Sequence, residues 1–138
     1  MKIFLRSNNI SMLFLLLVCV QAAHSIEEYF GTLWDVFPPA TWLTGLVSND
    51  LHLGFLIINI GLFVFGMLCW FFIVRPKHRM ANIVLWFWII LELTNGIGHS
   101  VWSLMQKGYT PGMYTALLLF IVSFYLMITY LKSKKELN

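Results

Sequence analysis

The sequence predicts an all-α polytopic membrane protein: one domain over residues 1–138, built as a bundle of four transmembrane helices with both termini cytoplasmic. Three observations predict it. Of the 138 residues 59% are hydrophobic and only 11% charged, a balance foreign to soluble domains. The apolar residues are bunched into runs that match the roughly 20 residues a helix needs to cross hydrocarbon. Lysine and arginine gather at alternate junctions between those runs.

The runs cover residues 10–30, 51–74, 80–104 and 111–131. Each should be helical, because an open sheet leaves backbone groups unsatisfied in lipid. Pro76 lies in the turn "RPKHR" between the second and third spans, and Pro111 suits the first turn of the fourth. The one long connection, residues 31–50, carries Trp34, Phe37, Pro38, Pro39 and Trp42 and predicts a segment lying at the membrane interface. Trp70, Trp86, Trp88 and Trp102 read as lipid-facing or belt residues, or as an aromatic wall where they face a polar layer. Cys19 and Cys69 sit inside apolar runs without metal-site spacing, and Asp35, Asp50 and His78 read as loop or cap residues. Basic residues occur only near span ends, which argues against nucleic acid as a partner.

Lys2, Arg6, Arg75, Lys77, Arg79, Lys132, Lys134 and Lys135 fall on one side of a four-span topology, and Lys107 alone on the other. This asymmetry places both termini in the cytoplasm and the chain in the cytoplasmic (inner) membrane. A competing pattern exists: a basic start, an apolar stretch and "AHS" before Ile26 also resemble a secretory signal.

Polar residues interrupt the spans at one level. His24, Glu27 and Glu28 stand at i, i+3 and i+4 in the first, and Glu92, Asn95 and His99 at i, i+3 and i+7 in the third, so each set shares a helical face. Both faces lie about 15–19 residues up their spans at 1.5 Å per residue, in the outer half of the bundle. Asn59 reaches nearly the same height from the second span. No lysine or arginine occurs from residue 7 to 74 or from 80 to 106. Buried carboxylates cost several kcal/mol each, so these must be protonated, paired with histidine, open to water or bound to a cation.

His24, Glu28, Glu92 and His99 form a reasonable ligand set for a divalent metal such as zinc, iron or manganese. Without a metal, Glu27, Glu28 and His99 would serve as catalytic acid–base groups, with Asn95 beside them. The expected activity is that of a membrane-embedded enzyme whose substrate is a lipid or isoprenoid-like molecule drawn from the bilayer. A second class stays open: a small transporter, ion-binding subunit or assembly protein, for which a homodimer is needed, whereas it is optional for the enzyme. A third reading makes the acids interfacial and the amides helix glue. Below Glu92 the third span reads "MANIVLWFWIIL", and a one-sided polar layer favours a site over a channel.

"HSIEE" at residues 24–28 matches the motif of the HXXEE family of small integral membrane proteins, and the chain resembles that family further in a later single histidine followed by Y-x-P-G. His24, Glu27, Glu28, His99, Tyr109, Pro111 and Gly112 carry the resemblance. It implies an integral membrane protein and no particular reaction, and it counts against cleavage before Ile26, which would divide the motif.

The orientation is tested by labelling a Lys77→Cys variant in intact cells. It should be unreactive to an impermeant thiol reagent added outside; labelling there, or a mature chain beginning at Ile26, would overturn the reading.

Overall fold

The computed structural model describes residues 2–135, with side chains from Asn9 onward. The side chains of Lys2 and Arg6, which contribute to the charge asymmetry, lie outside the described residues. The helices are α1 (Lys2–Phe30), α2 (Leu33–Val36), α3 (Pro38–Gly45), α4 (Leu51–Cys69, continued by a π-helical turn Trp70–Val74), α5 (Ala81–Gln106) and α6 (Met113–Lys135). Among the described residues four segments are long and apolar enough to cross a membrane: Asn9–Phe30, Leu51–Val74, Ala81–Gln106 and Met113–Lys135.

Two boundaries differ from expectation. The first helix starts at Lys2 rather than near residue 10. The fourth span starts at Met113 rather than Pro111, because Gly112 has φ +87°, which no α-helical residue adopts. Pro111 and Gly112 therefore form a turn ahead of the helix.

α1 packs along α6 and α4, and α5 packs along α6 and meets α4 chiefly at the π turn. α1 and α5 thus face each other diagonally, and their side chains meet across the middle, His24 with His99 and Phe14 with Trp88. Close approach of α5 to α6 rests on Gly96, where a Cβ would lie 2.8 Å from the Cβ of Phe120 and 2.9 Å from the carbonyl oxygen of Ala116. The 75–80 half of the bundle is a sealed apolar core around Phe14, Leu17, Trp88, Ile89, Leu119 and Leu126, all with no exposed surface. Trp88 is therefore a core residue and not a lipid-facing one: its ring meets Phe14 edge-on at 5.8 Å and fills the space left by Gly66. Trp70 donates from Nε1 to the Ser11 carbonyl at 3.1 Å, fastening the end of α4 to α1.

The long connection folds as α2 and α3 over the other end of the bundle. Pro38 and Pro39 open α3, and Phe37 before them is extended (φ −112°, ψ 104°), as the clash with a following proline ring requires. Leu33 and Trp34 pack on Phe55 of α4 as a second, smaller apolar cluster. Trp42 remains 67% exposed, the one tryptophan of this segment left to an interfacial role. Asp50 caps α4, accepting from the Leu53 amide at 3.2 Å.

The α3–α4 contact depends on Gly54, where a Cβ would lie 2.4 Å from the backbone oxygen of Thr44. Gly54→Ala must push α3 off α4, and a loss of about 1–3 kcal/mol is expected. At Gly61 a Cβ meets nothing within 4 Å, so Gly61→Ala should be neutral or stabilising by about 0.5–1 kcal/mol. Unfolding in mild detergent measures both.

Candidate functional site

Between the two apolar clusters lies a polar layer whose centre is Glu28. His24 and Glu28 are one turn apart on the inward stripe of α1, and His99 reaches the same point from α5. His24 Nε2 lies 3.1 Å and His99 Nε2 3.0 Å from the same oxygen, Glu28 Oε1. The two rings meet edge to face with centroids 4.7 Å apart, and all three residues are buried. One donor atom from each falls within 4.8 Å of the others. Among the described residues this is the one such group of three.

Gly112 closes the group from above. A Cβ there would lie 2.8 Å from His24 Cε1, 2.9 Å from His99 Cε1 and 3.0 Å from Glu28 Cγ. Its positive φ and the absent side chain are both required, the first by the turn and the second by the imidazoles. Pro111 packs just as tightly on Gly31, where a Cβ would come 2.4 Å from Pro111 Cβ.

Glu27 does not point at the histidines. Its carboxylate accepts from Tyr109 Oη at 2.9 Å, the Tyr114 amide at 3.2 Å, the Thr115 amide at 2.8 Å and Thr115 Oγ1 at 2.5 Å. These donors fill its acceptor capacity and include first-turn amides of α6, where a negative charge is favoured. The expected catalytic carboxylate is thus the cap of another helix.

Thr115 links this cap to the site. Its single hydroxyl proton goes to Glu27, so Thr115 Oγ1 must accept from His24 Nδ1, 2.8 Å away. Nδ1 therefore carries a proton, and Nε2 faces Glu28 Oε1 at 3.1 Å. Two acceptors 3.1 Å apart repel unless a proton or a cation lies with them. Two of the three donor spacings, 3.1 and 3.0 Å, are close to the roughly 3.3 Å edge of a tetrahedron with metal bonds of about 2.0–2.1 Å, and the His24–Thr115–Glu27 chain is the outer support that metal-bound histidines commonly have.

Glu92 stands outside this group. Fully buried, it faces the Gln21 amide at 2.7 Å. A neutral Glu92 donating to Gln21 Oε1 makes one consistent series: Gln21 donates to Ser25 at 3.2 Å, Ser25 to Asn59 at 2.6 Å, and Asn59 to the Phe55 carbonyl at 3.0 Å. The reversed amide would leave the one Ser25 proton claimed by both Gln21 and Asn59. With the amide turned, Gln21 Nε2 instead donates to Glu92 at 2.7 Å, so in either orientation Gln21 and Glu92 are joined by one hydrogen bond.

An apolar cavity of about 220 Å³ opens beside the group between α4 and α5, under α3. Glu28, His99, Asn95 and Gln21 reach its wall, with Phe37 and Leu62 among the apolar residues. His24 does not line it. Sequence reasoning missed Thr115, Gln21 and Ser25. Gln21 was findable by following the α1 stripe one turn down from His24; nothing marked Thr115, which matters through a tertiary contact 88 residues from Glu27 in the chain.

Tyr109, in the turn before α6, gives a pH test of the cap. Its phenol is pushed up to about 12 by desolvation and then by the Glu27 carboxylate it serves. Between about pH 10 and 12 an unfolded chain releases this proton while the folded one keeps it. Stability should fall across that window, and the fall should be smaller in Tyr109→Phe; identical profiles would remove the hydrogen bond from the account.

The family model described as "Protein of unknown function with HXXEE motif" matches residues 15–126, a stretch containing every residue of the group and its cap. No curated protein and no solved structure matches. The chain belongs to the HXXEE family.

Proposed function

We propose that His24, Glu28 and His99 hold a divalent metal, and that the protein is a membrane-embedded enzyme acting on a lipid or isoprenoid-like substrate. One observation carries this: two imidazole Nε2 atoms converge on one carboxylate oxygen at the wall of an apolar cavity. Zinc, iron and manganese all accept such a set. A metal with three protein ligands keeps a place for water or substrate and supplies Lewis-acid or hydroxide chemistry. On the protein side, His99 and Glu28 face the cavity, His24 is held from behind through Thr115 and Glu27, and Glu92 is a proton-transfer group one layer deeper.

The sealed core below Glu92 supports a site rather than an ion path. Among the described residues, Phe14, Leu17, Trp88 and Ile89, all without exposed surface, fill that region. Orientation in the inner membrane with cytoplasmic termini accords with the charge asymmetry and would open the cavity toward the outer leaflet.

Metal analysis of the protein purified in mild detergent tests the proposal. About one equivalent per chain is expected in wild type and a loss in His99→Ala. Thr115→Val should weaken affinity about 10–100-fold while Thr115→Ser retains it. Chelation should lower the wild-type melting temperature. Wild type without metal, and melting indifferent to added metal and to chelator, would return these residues to a packing role.

A further inference from the structure

The cavity beside Glu28 and His99 is small. Its roughly 220 Å³ falls below the roughly 300–1,000 Å³ of pockets that enclose a whole small ligand. A lipid could place only one end there, and the remainder must lie elsewhere.

A second depression begins where the cavity ends. It runs along the lipid-facing side of α5, holds about 370 Å³, and is lined by Phe37, Ile97, Gly98, Val101, Trp102 and Met105, with Thr94 at one end. Phe37 is common to both spaces. Its ring stands 5.9 Å from that of His99 and 5.1 Å from that of Trp102, so it separates the buried imidazole from the groove. The groove owes its depth to Gly98, where a Cβ would meet no atom within 4 Å. That glycine is not required by helix packing, and a side chain there would occupy the groove itself.

We propose that cavity and groove are two parts of one lipid-binding site. A single hydrocarbon tail lies along α5 over Gly98, and the polar end of the same lipid passes Phe37 to reach Glu28 and His99. The occupant is a bilayer lipid, since the groove opens sideways on an apolar face of a spanning helix and is continuous with the polar layer. This deepens the enzyme reading and rests on it for the role of the polar end, but binding of the tail needs no metal.

The test uses the full chain in nanodiscs with palmitic acid carrying a mid-chain diazirine, irradiated and mapped by mass spectrometry, with and without chelator. Adducts should concentrate on Phe37 and on residues 97–105, and Gly98→Phe should reduce them at least ten-fold with its melting temperature kept. Gly98→Leu, a smaller filler, provides the same comparison if the phenylalanine variant does not fold. Adducts spread equally over other exposed residues such as Ile121 and Tyr125 of α6, or groove adducts that neither filler diminishes, would overturn the proposal. Groove adducts sensitive to the fillers in a protein that binds no metal would support this site and sink the catalytic reading alone.

Discussion

The burial of Glu28 between two imidazoles, with no lysine or arginine within either membrane span, Asn9–Phe30 or Ala81–Gln106, to balance it, is the constraint to which the rest of this end of the molecule answers. A buried acid needs counter-charge or protons from its surroundings. The α1 stripe supplies His24 and α5 supplies His99, and the two helices meet through side chains, here as at Phe14 and Trp88, while both pack closely on α6. The turn before α6 must then pass directly over the rings, which leaves room for a glycine and nothing larger. The Y-x-P-G motif is explained by contact: Tyr109 on Glu27, Pro111 on Gly31, Gly112 on the histidines.

The three acids of the spans have three different settings. Glu27 is saturated with donors at a helix start, Glu28 is matched to imidazole nitrogens, and Glu92 is placed against the Gln21 amide. Spacing along the helix set these fates apart. Residue 27 is about 100° from residue 28, enough to turn one carboxylate toward the start of α6 and the other toward the centre.

Much of this was legible in the sequence. Long apolar runs indicated four spans, and the stripes 24/28 and 92/95/99 indicated which faces turn inward, because both depend on local periodicity. The proximity of His24 to His99 followed from counting height along two helices. What was hidden is tertiary. Trp88 resembles any belt tryptophan until Gly66 is seen to receive it; the tautomer of His24 depends on Thr115, remote in sequence; and the diagonal placement of α1 and α5 depends on which helices pack closely. Phe37 was read as interfacial because its composition matched, whereas the following proline directs it down between α2 and α3 toward His99.

X-ray absorption at the metal edge of protein loaded with zinc would test the central claim most directly. The account predicts a first shell of nitrogen and oxygen at about 2.0–2.2 Å, with outer-shell scattering from two imidazoles, reduced to one in His24→Ala. A sulfur shell near 2.3 Å, which only Cys19, Cys69 or a methionine could supply, or scattering unchanged by His24→Ala, would contradict it.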